Sequence, residues 1–328
     1  MDSSEVKNFL EEGESLVSQE TKDLLSSLPR EEGCAVDYIY QFQGFWFTEV
    51  HLQGVLTCQR QFKAHDNDLL LVTNPKSGTT WLKAMAFAIV NRRFYSSTTK
   101  NHPLLTNNPH ELVPLLEEVY VLDHVELDLT CTAGGFVQSS SRLFSTHMPY
   151  LFLPQICQGQ LTPKDTLISL WHFMNKLRPK NLEPNSLEEV FELYCKGAVG
   201  YGPFWDHVLG YWKESLERPE MVCFLKFEDM KKEPKLHLKR LAEFLGHPFS
   251  LEEETQGVVD EIVRLCSFEN MSNLEVNKTG KMATTGLEKN AYFRKSKVGD
   301  YVNYLTSEMI ERLDQIIKEK FHGSSLNF

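Results

Sequence analysis

The sequence predicts a single α/β domain with a mostly parallel central sheet flanked by helices, and three observations carry that prediction. Short, continuously apolar runs of strand length alternate with longer stretches of helical periodicity, the pattern of a layered α/β protein. The first such run, Leu69-Leu70-Leu71-Val72-Thr73, passes through a loop straight into a helical pattern, the opening of a βαβ unit. No composition shift divides the 328 residues, and the apolar content suffices for one core of that size.

Taken in order, Met1 to Gln19 is rich in Glu and Ser and lacks the apolar stretch of a signal peptide. It reads as a flexible acidic tail ahead of a domain spanning 20–328. Glu20 to Ser27 has the pattern of a short helix closed by Leu28-Pro29, because the residue before a proline is pushed out of the α region. Tyr38 to Trp46 is dense in aromatics, suited to covering a pocket or simply to packing. The continuous apolarity of Leu69 to Thr73 suits a strand covered on both faces. In the following helix, Thr80 to Arg92, Leu82, Met85, Ala86, Ile89 and Val90 share one face, and Lys83, Arg92 and Arg93 are left for water. Leu143 to Met148 and Met221 to Leu225 read as further strands. A charged helix from Pro234 to Leu245 ends at Gly246-His247-Pro248. Helical spacing also marks Leu187 to Tyr194, Asp206 to Glu217, Glu252 to Leu265 and Thr306 to Phe321.

A net charge of −11 argues against nucleic acid or an anionic membrane as partner, since phosphate-rich surfaces are met by clustered Lys and Arg. No apolar run approaches the roughly 20 residues of a membrane span. The seven cysteines are scattered without metal-ligand spacing, which fits reduced thiols in a cytoplasmic protein and no metal site.

The chemistry concentrates in Asn74-Pro75-Lys76-Ser77-Gly78-Thr79-Thr80-Trp81. Between a buried strand and a helix start, unpaired backbone N–H groups and the positive helix end favour an anion. Gly78 lets the backbone curl, Ser77, Thr79 and Thr80 add hydroxyl donors, and Lys76 adds a full charge. The order differs from the Walker pattern, whose lysine follows its glycine, so a magnesium-dependent kinase is disfavoured. The plainer alternative is a helix start capped by Ser or Thr.

This segment resembles the 5′-phosphosulfate loop of the cytosolic sulfotransferases, P-K-[SA]-G-T-T-W. Gly200-Tyr201-Gly202-Pro203-Phe204-Trp205-Asp206-His207, Cys266-Ser267-Phe268-Glu269 and Asn273-Leu274-Glu275-Val276-Asn277 resemble the plant branch of that family. The resemblance implies transfer of a sulfuryl group from 3′-phosphoadenylyl sulfate (PAPS) to a small hydroxylated acceptor of the flavonoid, steroid or brassinosteroid, or hydroxylated-hormone class. It implies no metal. Ser145-Thr146-His147-Met148-Pro149 resembles the family's T-H-[LI]-P segment and implies His147 as general base, where a structural histidine is the plainer reading. By the same resemblance Lys76 stabilises the departing nucleotide, while Ser77, Gly78, Thr79, Thr80 and Trp81 hold the 5′-phosphate and adenine. Phe227, Ser267 and Phe268 join the nucleotide site. Ser169 binds the 3′-phosphate, and Arg294-Lys295 clamps it. Taken without the family, Ser169 is a helix-interior serine bonded to the preceding turn.

Several positions depart from the family pattern. The arginine expected upstream of Ser169 falls at Leu161, with Thr162 in place of asparagine. Gln155 to Gln160 lacks a Val/Ile/Leu run, so one central strand is expected to be shortened or missing near 155–162. Loss of that arginine weakens a phosphate contact by about 1.5–3 kcal/mol. This opens an alternative, a catalytically impaired binding protein on the same fold. Phe227 replaces a tyrosine, Ser296 a glycine and Tyr301 a tryptophan. The dimer segment of animal relatives keeps only Thr306 and Glu311, so that dimer is not expected.

Overall fold

Residues 16–96, 100–121, 141–152, 156–160, 162–179 and 181–327 are described by the computed structural model. The described chain opens with α1 (Gln19–Ser27), whose N-cap Ser18 side chain accepts from the Thr21 amide. A small antiparallel meander follows: β1 (Arg30–Glu32), β2 (Tyr38–Phe42) and β3 (Phe45–Phe47). It absorbs the aromatic-dense segment, with Phe45 and Phe47 buried. After α2 (Glu49–Gln61) come β4 (Leu69–Val72) and α3 (Thr79–Asn91). The short helices α4 (Pro109–Leu112) and α5 (Leu116–Val121) precede β5 (Leu143–Thr146). Then come β6 (Ile156–Gln160), α6 (Pro163–Leu177), α7 (Leu187–Lys196), α8 (Phe204–Glu217) and β7 (Val222–Lys226). The chain continues through α9 (Phe227–Lys232), α10 (Pro234–Phe244), α11 (Leu251–Thr255), α12 (Val258–Leu265), α13 (Phe268–Asn273) and α14 (Glu275–Lys278) to α15 (Ser307–Lys320).

The central sheet has the order β5-β4-β6-β7 and is parallel throughout. Alternation along the strands feeds two cores. Leu70, Val72, Phe144 and Phe224 pack with residues of α2, α6 and α8 on one side. Leu71, Leu143, Cys223 and Leu225 pack with residues of α3, α10 and α12 on the other. Burial on both faces is why β4 and Val222 to Leu225 of β7 read as unbroken apolar runs, whereas β5 ends in Ser145-Thr146.

The expected gap in the sheet is not there. Ile156–Gln160 forms β6 between β4 and β7, joined to β7 through five residue pairs and to β4 through two. Its sequence carries little strand propensity, but a central slot between two parallel neighbours satisfies backbone groups whatever side chains they bear. Leu161 lies outside the described residues.

The solvated face expected on α3 is also corrected. Lys83 is only 1% exposed, and Arg92 is buried in an ion pair with Glu253 while also donating to the Pro248 carbonyl; of the three basic residues, Arg93 alone is exposed. Because α3 is packed nearly all round, its polar side chains must find partners inside the protein. The helix expected from Glu252 to Leu265 is two helices, divided at Gly257, whose φ is +81°. Residues 1–15 of the expected tail lie outside the described residues, whereas Val17 is buried in the core and Ser18 already caps α1.

Candidate active site

β4 delivers the loop to the carboxyl end of the sheet, where the parallel pairing with β5 ends as the Thr73 amide donates to the Thr146 carbonyl. Asn74 to Ser77 turns tightly: the Ser77 amide and hydroxyl both donate to the Asn74 carbonyl, at 3.2 and 2.6 Å. Ser77 is thereby buried in the turn and does not line the cleft. Gly78 is the N-cap residue of α3 with φ +108° and offers no side-chain cap; the Trp81 amide closes back on the Gly78 carbonyl at 3.1 Å, and the Thr79 and Thr80 amides are left for whatever occupies the cleft. A Cβ on Gly78 would lie 2.9 Å from Phe227 Cδ2. Gly78→Ala combines that contact with a left-handed backbone, and is expected to lower stability by about 1–3 kcal/mol. Urea unfolding measures this, and an unchanged midpoint would show that the Phe227 ring and the helix start simply shift.

Lys76 adopts φ +67° and sends its ammonium over the Phe173 ring at 4.1 Å, with Tyr292 at 5.6 Å. Burial, reinforced by the positive charges of Lys176 and Arg294, lowers its pKa to about 7. Partly buried at the cleft, Lys76 has no carboxylate partner among the described residues and is placed to meet an anion.

His147 follows β5 directly. Its ring Nδ1 lies 2.7 Å from the Thr73 carbonyl, which can only accept, so Nδ1 carries the hydrogen and Nε2 holds a lone pair. The backbone is fixed from both sides: the His147 amide donates to Glu117 Oε1 at 2.7 Å, and the buried His207 Nε2 donates to the His147 carbonyl at 3.0 Å. Burial lowers the pKa of His147 to about 3, so the ring is neutral at physiological pH. Glu117 is fully buried, and the fit of α5 against α2 that places it depends on Gly54, where a Cβ would lie 2.1 Å from the Glu117 carbonyl oxygen.

The cleft brings together Lys76, Gly78, Thr79, Thr80, Trp81, His147, Ser169, Phe227, Phe268 and Arg294. Trp81 and Phe227 meet edge to face at 5.2 Å, and the Thr79 hydroxyl is 2.6 Å from that of Thr73. Arg294 reaches the cleft while paired to Asp300. Besides Ser77, two predicted residues lie elsewhere. Ser267 caps α13 by accepting from the Asn270 amide, and Lys295 is half-exposed against Asp300 and Tyr304. Sequence reasoning missed His110, Phe173 and Tyr292, which line the same cleft. His110 was accessible in one respect, because Asn108-Pro109-His110-Glu111 is a capping-box helix start that sets it on a first turn. Phe173 and Tyr292 had no such signal. Among the described residues no group of three or more His, Cys, Asp or Glu is placed to hold a metal ion.

A parallel sheet that presents a partly buried lysine, two free amides at a helix start and a neutral histidine to one cleft has the construction of a group-transfer enzyme acting on an anionic donor. The comparisons with known proteins make this specific. The family described as "Sulfotransferase domain" matches residues 66–325. Cytosolic sulfotransferase 6 of Arabidopsis thaliana is 48% identical over 320 residues, covering 95% of this chain and 96% of that protein. The chain belongs to the plant cytosolic sulfotransferase family. A crystal structure of an Arabidopsis thaliana protein assigned as a steroid sulphotransferase is 41% identical, with TM-score 0.72 and coverage of 95% of this chain and 98% of that one. Retinol dehydratase in complex with androsterone and the inactive cofactor PAP shares the fold at TM-score 0.67 and 17% identity, covering 95% of this chain and 96% of that one. No helix among the described residues is long and apolar enough to cross a membrane.

Proposed function

We propose that this sulfotransferase takes PAPS as donor and a small apolar alcohol or phenol as acceptor, with His147 as general base and Lys76 as the cation on the departing nucleotide. The observation that carries the reading is the shared cleft at the ends of β4 and β5, which Lys76 and His147 both line. The bare first turn of α3, with glycine where a side chain would meet Phe227, fits a phosphate group; so do the unpaired ammonium of Lys76 and the hydroxyls of Thr79 and Thr80. PAPS supplies an activated sulfuryl group.

His147 Nε2 takes the acceptor hydroxyl's proton as that oxygen bonds to sulfur. The bond from sulfur to the nucleotide's phosphate oxygen breaks in line. Lys76 neutralises the charge that develops on the released oxygen, in a site where burial makes the interaction count for more than in water. Ser169 and Arg294 supply the contacts to the 3′-phosphate, Arg294 by turning from Asp300 or by sharing it. Trp81, Phe227 and Phe268 offer flat apolar walls to the adenine. The aromatic lining suits a planar or polycyclic acceptor, in keeping with the steroid named for the 41% identical structure.

A binding protein without turnover had two grounds. The first, a missing central strand, goes with the presence of β6. The second, Leu161 in place of arginine, leaves the base and the lysine untouched and predicts weaker donor binding. Incubating the full chain with labelled PAPS and a panel of steroids, flavonols and hydroxylated hormones should yield at least one sulfated product. No product, together with no measurable PAP binding, would sink the reading.

A further inference from the structure

We infer that His110 is a positioning residue of the donor site, holding the Thr80 hydroxyl with its hydrogen turned toward the bound phosphate, and that the buried Lys83 sets the tautomer which makes this possible. The inference rests on the proposed PAPS site. It adds a polar chain behind the loop, Lys83 to His110 to Thr80, that the loop motif alone does not contain.

Lys83 sits one turn below the cradle on α3, with its ammonium 3.1 Å from His110 Nδ1. An ammonium has three hydrogens and no lone pair, so Nδ1 must accept. The single hydrogen of the neutral ring is then on Nε2, which lies 2.9 Å from Thr80 Oγ1 and donates to it. The Thr80 oxygen is therefore occupied as an acceptor, and its own O–H is free to point into the cleft that Thr80 lines. Left to itself, a threonine in a first helical turn commonly turns its hydrogen back toward a carbonyl of the preceding turn. His110 thus converts an ambivalent hydroxyl into a donor aimed at an anion.

Two further features hold the arrangement. The His110 ring lies on Tyr292, with centroids 4.0 Å apart and planes 33° apart, which fixes its orientation. Glu117 and Glu118 favour the charged form of Lys83 against the cost of its burial, and burial together with the neighbouring cations keeps His110 well below the usual histidine range. The ring is therefore a neutral relay of fixed polarity. It is no second base: its Nδ1 lone pair is engaged by Lys83, and its Nε2 carries a proton.

The test measures PAP affinity by calorimetry on the full chain. His110→Phe keeps the ring on Tyr292 and removes both hydrogen bonds; it should weaken PAP binding by roughly threefold to tenfold, the worth of one oriented hydrogen bond. KM for PAPS should rise by the same factor with little change in kcat, because the base and Lys76 are untouched. His110→Gln can reach Thr80 with its amide N–H, whereas His110→Asn is too short. Gln should recover most of the affinity and Asn should not. In a Thr80→Val background, adding His110→Phe should cost nothing further, because the hydroxyl it orients is gone. PAP binding by His110→Phe equal to wild type would overturn the inference, as would an additive loss on top of Thr80→Val. If the Phe variant does not fold, the Gln and Asn variants decide, and equal affinities would overturn it. Wild-type protein that fails to bind PAP would instead overturn the reading of the site.

Discussion

Replacing His147 by alanine should lower kcat by about 10²- to 10⁴-fold, the range for removal of a positioned general base, while PAP affinity stays within a few fold because Lys76 and the α3 amides remain. Sulfate transfer under saturating donor, paired with PAP titration, separates the two. A His147→Ala enzyme that retains turnover would remove the histidine from the chemistry. The acid side of the pH profile adds a second reading. Burial holds His147 at about 3, with His51 and His207 each at about 4, so all three are neutral in the folded state. A group whose folded pKa lies below its unfolded value stabilises the fold above the unfolded value and loses that contribution as pH falls. Below about pH 6.5, the unperturbed histidine value, the unfolded chain takes up protons that the folded chain refuses. The acid limb of activity should therefore coincide with loss of structure by circular dichroism. An activity limb near pH 6.5 in fully folded protein would show that the base titrates as an ordinary histidine.

Lys76→Met should reduce kcat by roughly 10²- to 10³-fold, as for other buried groups that meet charge only in the transition state, and should also change how donor binding depends on pH. Burial and the neighbouring positive charges hold the ammonium of the free site at about 7, and on the proposed reading the anion pairs with its charged form. PAP affinity should therefore fall as pH rises from 7.5 to 9, toward about tenfold per unit. Phosphate ionisation does not account for such a slope, since its second step near about 6 is complete there. The methionine variant should bind weakly with no slope over the same interval. A slope that survives in Lys76→Met belongs to another group.

The fold class was legible because buried parallel strands advertise themselves. Leu69–Val72 is apolar throughout, Leu143–Thr146 and Val222–Lys226 carry apolar residues on both faces before ending in polar ones, and each fell within about a residue or two of its expected position. β6 was illegible for the complementary reason: Ile156–Gln160 holds its place by backbone pairing to neighbours distant in sequence, and local composition does not report that. The same distinction runs through the site. Lys76, Gly78 and Thr80 could be read because strand, turn and helix chemistry all converge within one loop. His147 was plain only through the resemblance, because the Thr73 carbonyl that fixes its tautomer lies 74 residues away. Lys83 was misread from helical periodicity, which identifies the wettest face of an isolated helix but not what other elements later cover it. His110, Phe173 and Tyr292 come from three separate elements, and only tertiary folding brings them into one wall.

The join between β4 and β6 has a mechanical consequence. The Lys76 loop rides on β4, Ser169 rides on the helix after β6, and among the described residues two pairs stitch the strands beneath them. The cleft thus straddles the seam between β4 and β6, with Lys76 and His147 on one bank and Ser169 on the other. On the proposed reading, a nucleotide held from both banks would act as a clasp, adding its binding free energy to the seam's resistance to parting. Filled and empty protein should therefore differ most in amide protection along β4 and β6, and least at the outer strands.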